Sequence, residues 1–407
     1  MMAAYPKVPL REICDSVEYG YTASATGEAV GPRFLRITDI ASERLNWESV
    51  PFCEIDPKKF SKHRLKTGDI VIARTGATTG WAKFIKDPPE AVFASYLIRI
   101  RPSPSVDSRF VGFIVESSVY KDFIQQHMGG AAQPNANAQV LTSFDLPLPP
   151  LPTQRRIASI LSAYDELIEN NQRRIRILED MARSLYREWF VHFRYPGHES
   201  VPLVDSPLGQ IPQGWEVKKL GDIAEDMRRN IPKGQLDEPQ PYVGLEHIPR
   251  RSLALDSWET ASELGSNKLA FRKGEVLFGK IRPYFHKVSI APFDGLCSAD
   301  TIVIRARQPE NYAIVVCCVS SDEFVAHATA TSNGSKMPRA NWSVLEELPV
   351  AIPVLAVARQ FSAVVKPAIQ QMQTLIFQTA NLRRTRDLLL PRLLSGQVQL
   401  PAEECVV

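Results

Sequence analysis

Residues 154–189 read QRRIASILSAYDELIENNQRRIRILEDMARSLYREW, and this stretch decides the architecture of the chain. From Ile157 onward a series of positions recurs at alternating steps of four and three residues, which is the spacing of a coiled-coil seam. The seam residues are Ile157, Leu161, Tyr164, Ile168, Asn171, Ile175, Leu178, Ala182, Leu185 and Trp189. Because such a seam is narrower than the apolar face of a helix on a globular domain, it predicts a helix that packs on another helix. At about 1.5 Å per residue, a helix over 154–193 would be roughly 60 Å long.

A weaker version of the same pattern lies near the C-terminus. Its seam residues are Phe361, Val365, Ala368, Met372, Leu375, Thr379, Leu382, Arg386, Leu389 and Leu393. Pro367 is expected to kink this helix or to mark where its straight part begins. Two similar helices in one chain most simply pair with each other, so we predict an antiparallel coiled coil in which Asn171 sets the register.

The segments that precede the two helices are also related to each other. The matched segments, in chain order, are 10–13 with 220–223, 34–40 with 242–248, 65–74 with 271–280, 98–101 with 302–305, and 146–147 with 348–349. Their order is kept and the offset drifts only from 210 to 202, so the chain is a tandem duplication. Each copy contains β-branched and aromatic runs bounded by Gly, Pro and Asp, and the first contains a short helical stretch at 108–126. We therefore predict two mixed α/β domains of the α+β type, each followed by a long helix.

The composition describes a globular protein of two or three domains, with 407 residues, 44% of them hydrophobic and 23% charged. The six cysteines include no CxxC pair, and the adjacent Cys317 and Cys318 are expected to be buried thiols. A net charge of +3 argues against an indiscriminate polyanion binder, so any nucleic acid would be bound through local patches. No apolar run is long enough to span a membrane and no secretion signal opens the chain, so we expect no membrane contact and a cytoplasmic location.

The sequence contains no recognisable catalytic motif. There is no GxxxxGK[ST] phosphate loop, no GxGxxG fingerprint, no HExxH and no GxSxG. The glycine-rich stretch 75–80 lacks the lysine of a phosphate loop, and the seven histidines are scattered. We expect no catalytic residue and no metal site.

Each copy has two polar loops whose side chains are suited to contact DNA. Arginine, asparagine and glutamine read base edges, and hydroxyl and ammonium groups bind phosphates. The candidate DNA-binding residues are Arg74, Thr75, Thr78, Thr79, Gln133, Asn135 and Asn137 in the first copy, and Lys280, Arg282, Tyr284, His286, Lys336, Arg339 and Asn341 in the second. For any one of them a solvated turn is an equally open interpretation. Because the loops differ while the framework is shared, the two copies are expected to read two different sequences.

Four stretches carry a family resemblance, at 146–157, 207–217, 277–284 and 386–396. With them the chain resembles, over essentially its whole length, the specificity subunit of type I restriction–modification systems. The resemblance implies two target recognition domains held apart by two helices that form an antiparallel coiled coil. Each domain would read one half of a bipartite DNA site, and the helices would set the gap between the halves. Removal of one heptad, for example 172–178, would then change the gap and leave both half-sites unchanged.

The resemblance also implies domain boundaries and partners. The expected segments are recognition domain 1 at 1–152, helix 1 at 153–194, a linker at 195–214, recognition domain 2 at 215–353, helix 2 at 354–396 and a tail at 397–407. The implied partners are double-stranded DNA, two modification subunits that methylate adenine with S-adenosylmethionine, and, where one is present, a restriction subunit that uses ATP and Mg. The chain itself would hold no cofactor. The start of helix 1 has only a weak counterpart at 352–361, and the first domain lacks the Lys-x-Arg-Pro-Tyr stretch of the second.

Two other functions remain open at the level of sequence. A self-contained DNA methyltransferase or nuclease would bind S-adenosylmethionine by itself. A coiled-coil protein-interaction scaffold would lack sequence-specific DNA binding, and it would not show the steep loss of DNA affinity with salt that phosphate contacts cause.

Overall fold

The computed structural model describes residues 5–41, 45–128, 136–334, 336–395 and 397–398. The chain forms two compact units, Met1–Glu166 with Leu382–Val407 and Leu167–Asn381. Each long helix is therefore divided between the units, whereas the boundaries expected from sequence treated the helices as separate segments. We refer to these as the first unit and the second unit.

The first unit is built around an antiparallel sheet. Its strands are β1 (Lys7–Pro9), β2 (Cys14–Tyr19), β3 (Arg33–Leu35), β4 (Ile70–Ala73), β5 (Ala82–Phe84), β6 (Ala91–Phe93), β7 (Leu97–Pro102) and β8 (Asp145–Pro147). Its short helices are α1 (Ile37–Ile40), α2 (Pro57–His63), α3 (Ser108–Glu116), α4 (Ser118–His127) and α5 (Ala138–Thr142). The main sheet has the order β2-β7-β4-β5, and all four residues of β4 are buried. The helical stretch at 108–126 forms two helices because Ser117 ends α3 and caps α4.

The first long helix, α6 (Leu151–Tyr186), continues into a π-helical turn at Arg187–Val191. The strands that follow are β9 (Leu203–Ser206), β10 (Gly209–Pro212), β11 (Glu216–Lys219), β12 (Ala224–Asp226), β13 (Arg229–Ile231), β14 (Gln240–Val243), β15 (Glu259–Ala261), β16 (Lys268–Phe271), β17 (Val276–Gly279), β18 (Val288–Ile290), β19 (Gly295–Ser298), β20 (Thr301–Ala306) and β21 (Pro349–Ile352). The helices are α7 (Leu220–Ile223), α8 (Tyr312–Val319), α9 (Asp322–Ala330), α10 (Trp342–Leu345) and the long α11 (Leu355–Leu394).

The two units repeat one topology, which confirms the duplication and the mixed α/β class. The antiparallel order β2-β7-β4-β5 in the first unit corresponds to β12-β20-β17-β18 in the second. The parallel pair β3–β6 corresponds to β14–β19, and the pair β1–β8 corresponds to β11–β21. The second unit adds strands on both sides of its parallel pair, giving the order β13-β16-β19-β14-β15.

A buried carboxylate closes the turn before the central strand in each unit. Asp69 accepts the backbone N–H of Lys66 and a two-point contact from Arg101, while Glu275 accepts the N–H of Arg272 and a two-point contact from Arg229. The turn residue before each acid has a positive φ, +97° at Gly68 and +87° at Gly274, which favours glycine. The arginine comes from β7 in the first unit and from β13 in the second, so the ion pair is kept although its donor strand has changed.

Within each unit the two long helices pack on each other in antiparallel fashion. In the second unit Ile175 shares a buried cluster with Leu375 and Ile376, and the ring of Phe190 lies 4.8 Å from that of Phe361. In the first unit Asp165 accepts a 2.6 Å hydrogen bond from Arg386, and α6 shares a core with the last turns of α11. The seam residues buried at 8% exposure or less are Ile157, Leu161, Ile168, Asn171, Ile175, Ala182, Trp189, Phe361, Val365, Ala368, Met372, Leu375, Thr379 and Leu393. The others, Tyr164, Leu178, Leu185, Leu382, Arg386 and Leu389, are half-buried.

The structure bears on two expectations about where the chain is interrupted. Pro367 lies inside the single helix α11 (Leu355–Leu394) and is exposed, so water can satisfy the carbonyl group that the proline ring leaves without a donor. Residues 195–214, expected to be a plain linker, contain the hairpin β9–β10. Gly209, at φ +88°, helps form its turn, and Ile211 anchors it in the core of the second unit.

The apolar helices of the second unit belong to its core. In the described ranges no single helix is long and apolar enough to cross a membrane, while the bent pair Pro309–Val319 and Asp322–Ala330 passes that test by length and composition. Cys317 and Cys318 in α8 are buried as expected, and burial raises the pKa of Cys317 to about 12.

Candidate nucleic-acid interface

The two polar loops predicted in the second copy lie side by side in the second unit. One loop follows β17 and the other precedes α10. Ala340 N–H donates to the carbonyl oxygen of Lys280 at 2.9 Å, and Arg282 N–H donates to that of Pro338 at 2.8 Å. Ile281 and Arg339 form an antiparallel bridge between the loops. The sequence separates these loops by about 50 residues, and backbone hydrogen bonds join them into one surface.

The first unit repeats this arrangement at the matching positions. Ala136 N–H donates to the carbonyl oxygen of Arg74 at 2.8 Å, which corresponds to the bond between Ala340 and Lys280. Arg74 N–H in turn donates to the Tyr96 carbonyl oxygen, as Lys280 N–H donates to that of Asp300, both at 3.0 Å. The predicted Gln133 and Asn135 lie outside the described residues. A common backbone frame therefore presents different side chains in the two units.

Several predicted contact residues have structural roles inside these loops. Asn137 caps α5 by accepting from Val140 N–H at 2.9 Å, and Asn341 caps α10 by accepting from Ser343 N–H at 3.3 Å. These caps account for asparagine at both positions, since capping satisfies a backbone donor at a helix start. The amide NH₂ groups remain available to a ligand.

Thr79 and His286 require a correction, because their side chains are buried and cannot face DNA. The hydroxyl of Thr79 is fully buried and donates to the Gly76 carbonyl oxygen at 2.7 Å. The His286 ring is 5% exposed, and its Nε2 lies 3.0 Å from the carbonyl oxygen of Ser320, which can only accept. Burial lowers the pKa of His286. Both residues hold their loops in place.

The first site combines the half-buried Arg74 with exposed aromatic rings. Arg74 lies over the ring of Tyr19 at 5.0 Å, and the side chains of Tyr19 and Tyr96 are 44% and 60% exposed. A Cβ atom at Gly20 would lie 2.1 Å from the Ala94 carbonyl oxygen, so only glycine permits this approach of the strands. The two tyrosines were not predicted, because nothing in the sequence places the end of β2 and the start of β7 beside Arg74. Thr75 and Thr78 are half-buried in the same loop.

The second site is basic, and two of its predicted residues form ion pairs with the same carboxylate. Lys280 and Arg339 lie 3.6 and 3.7 Å from Asp300. Tyr284 is 51% exposed and Lys336 is exposed. Sequence reasoning missed Arg250, whose backbone bridges Lys287 beside the loop. The adjacent arginines Arg250 and Arg251 are visible in the sequence, but they lie far from this loop along the chain, so the sequence did not place Arg250 beside it. Within the described ranges, no group of three or more His, Cys, Asp or Glu side chains could hold a metal ion.

Comparison with known proteins agrees with this duplicated architecture. The model of the family described as "Type I restriction modification DNA specificity domain" matches residues 10–180 and 212–376. The chain belongs to this family. It is 25% identical over 311 residues to the type I restriction enzyme MjaIX specificity subunit of Methanocaldococcus jannaschii, covering 74% of this chain and 71% of that protein. It is 24% identical over 272 residues to the EcoDI specificity subunit of Escherichia coli, covering 61% and 60%.

A solved structure shows the same fold. The crystal structure of a type I restriction–modification S subunit from M. genitalium aligns over 95% of each chain with a TM-score of 0.55 at 13% identity. The chain is thus a type I specificity subunit with two target recognition domains and a pair of long helices. The recognition domain in the second unit is called domain 2 below.

Domain 2 is attached to helix α6 by a buried carboxylate. One oxygen of Glu179 accepts from the Ser252 hydroxyl at 2.6 Å and from the backbone N–H groups of Leu253 and Ala254 at 2.7 and 3.1 Å. Glu179 is 5% exposed, and burial raises its pKa despite these donors. The segment that Glu179 holds begins at Ser252, close to Arg250 in the chain, so this specificity subunit fixes the basic edge of its second site from the helix.

Replacement of Glu179 by alanine is expected to lower the free energy of unfolding of the second unit by about 2–4 kcal/mol, because buried backbone donors lose their acceptor. Glu179→Gln keeps an amide oxygen at the same place and should lower the free energy of unfolding much less. Denaturant unfolding of the wild type and both variants measures the difference. Equal losses in the two variants would show that the acceptor oxygen is not what matters.

The same carboxylate predicts a pH dependence. Because the folded-state pKa of Glu179 is raised, the folded state binds a proton at a higher pH than the unfolded state does. The stability of the wild type relative to Glu179→Gln should therefore increase as the pH falls through the raised pKa towards the ordinary value of 4.5, and decrease as the pH rises. Unfolding curves at a series of pH values check this, and a difference that does not vary with pH would contradict it.

Proposed function

We propose that this chain is the sequence-reading subunit of a type I restriction–modification complex and reads a bipartite DNA site. Each recognition domain binds one half-site through its paired loops, and the two long helices set the gap between the halves. The chain recruits two modification subunits, which carry S-adenosylmethionine and methylate adenine. A restriction subunit with ATP and Mg joins where the system has one, and the chain itself performs no chemistry.

One observation carries the proposal: the same backbone frame presents different side chains in the two units. The frame consists of equivalent hydrogen bonds, from Ala136 to Arg74 and from Ala340 to Lys280. Arg74 with two exposed tyrosines occupies it in the first unit, and a basic set around Tyr284 occupies it in the second. Arginine is suited to guanine edges and phosphates, and exposed aromatic rings add apolar contact. Two such surfaces suit two different short sequences better than one repeated reaction.

The helices suit a spacing role because they are long and paired along a buried seam. Helix α6 spans 36 residues and α11 spans 40 residues, which corresponds to roughly 54 and 60 Å at about 1.5 Å per residue. Protein modules that bind the same face of DNA sit one helical turn, about 34–36 Å, or a multiple of it apart. Helices of this length are long enough for such a spacing.

The decisive experiment is a single-molecule methylome of cells that express the chain with its neighbouring modification subunit. Cells with the modification subunit alone serve as the control. We expect one bipartite N6-methyladenine motif that is present only when the chain is present, and this motif reveals both half-sites and the gap.

An unchanged methylome, with the two proteins shown to be expressed and assembled, would overturn the proposal. The coiled-coil interaction scaffold would then be the function to pursue. A second check is the salt dependence of DNA affinity of the assembled complex, because phosphate contacts make affinity fall steeply with salt.

A further inference from the structure

The loop after β17 is held in a conformation that ordinary residues avoid. Arg282 and His286 both have left-handed backbone angles, with φ of +49° and +52°, on either side of a 3-10 turn at Pro283–Phe285. Such angles in non-glycine residues cost free energy and persist only where the surroundings impose them. Here the buried His286 anchors one side of the turn, and the Pro338 carbonyl oxygen accepts the Arg282 N–H on the other. The turn is therefore a fixed platform.

Two arginine side chains lie close to the ring of Phe285 in this turn. The guanidinium carbon of Arg250 lies 4.1 Å from the centre of the Phe285 ring, and that of Arg282 lies 6.0 Å from it. The exposed Tyr284 packs edge-on against the same ring, at 4.9 Å between centroids. A cation over a ring face is attracted to it without using its N–H donors. Both guanidinium groups are thus positioned while their hydrogen-bonding capacity is kept.

The same two arginines differ from their neighbours in electrostatic pairing. Within the described part of the chain neither Arg250 nor Arg282 forms an ion pair, and the Arg282 Nε is buried without a hydrogen-bond partner. Arg251, by contrast, donates to Asp322 at 2.8 Å. An uncompensated and pre-positioned guanidinium group is what recognition of an external acceptor requires.

We propose that Arg250 and Arg282, held on Phe285, read guanine in the half-site of domain 2 through the major groove. The inference rests on the proposed function and adds the base that is read. A guanidinium group matches the O6 and N7 acceptors of guanine in a two-point contact, which the other bases do not offer. A phosphate contact is the alternative, and it would need only the charge.

Lysine substitution separates these two roles, because lysine keeps the charge and loses the planar two-point geometry. In the assembled complex, Arg250→Lys and Arg282→Lys are each expected to reduce the preference for guanine at one position of one half-site by about 10- to 100-fold. The other half-site should stay unchanged. Arg251→Lys is the matched control, since Arg251 is adjacent and exposed but paired with Asp322, and the methylated motif should not change.

Phe285→Leu should reduce the preference for guanine in the same half-site, while the salt dependence of binding is retained.

The readouts are the methylome and competition binding with DNA in which single guanines are replaced by 7-deazaguanine. The wild-type complex should lose affinity when the contacted guanine lacks N7, and this test needs no protein variant. A uniform loss across all sequences in the lysine variants, an unchanged motif in both, or a methylated motif without guanine would each overturn the inference. A wild-type complex that methylates no bipartite motif would instead overturn the proposed function.

Discussion

Removing one heptad from each long helix is expected to abolish methylation of the original motif and to create a motif with a shorter gap. Seven residues correspond to about 10 Å of helix, or roughly three base pairs of DNA. Whole heptads keep the seam in phase, so the helix pair can re-form. Residues 166–172 and 378–384 are a suitable choice, because none of them lies in the hydrophobic clusters of the described residues.

The structure changes which heptad should be removed. The sequence alone suggested 172–178, but Ile175 and Leu178 pack with Trp258 of domain 2, so that deletion would also detach a recognition domain. The control is Asn170→Ala, an exposed change in the same heptad that keeps the length. The methylome is the measurement, and both half-sites should be unchanged. A paired deletion that still methylates the motif with its original gap would disprove the spacing role.

Replacing Phe361 by alanine is expected to destabilise the second unit strongly. Phe361 is fully buried, and its ring lies 4.8 Å from Phe190 and 5.6 Å from Trp189. Loss of a buried phenylalanine typically costs about 3–5 kcal/mol through lost burial and a residual cavity. The aromatic pairs add about 0.5–1.5 kcal/mol each to the wild type. Because these rings join α11 to the π-helical turn that follows α6, the variant should open the helix pair at this end.

Denaturant unfolding of the purified chain, followed by tryptophan fluorescence, measures this loss. Phe377→Ala is the matched control, since it removes the same atoms from the same helix at a position that is 42% exposed. The control should lose less than half as much free energy of unfolding. Equal losses at the two positions would show that the aromatic cluster does not stabilise the helix pair.

The sequence was sufficient wherever a residue pattern follows directly from backbone geometry. The alternation of four and three residues from Ile157 to Trp189 predicted a helix pair, because only that spacing keeps one seam facing a partner. The duplication was visible in the turns at Gly68 and Gly274, since a positive φ followed by a buried acid restricts the residues that fit. The composition of 195–214 did not predict the hairpin, because proline and glycine occur both in linkers and in hairpin turns. In the folded chain Ile211 packs in the core, and this contact favours the hairpin over a plain linker.

Only the tertiary structure decided which side chains make up the candidate interface. Local sequence placed Thr79 and His286 among polar residues, yet both are buried, because burial depends on what the rest of the chain packs around a loop. Arg250 joined the interface through pairing with Lys287, a contact between segments that are remote in sequence. Periodicity and turn chemistry are local properties, so the sequence by itself determined two copies of one domain and a long helix pair. The surface that could meet DNA is formed by non-local contacts, and only the folded chain brings those residues together.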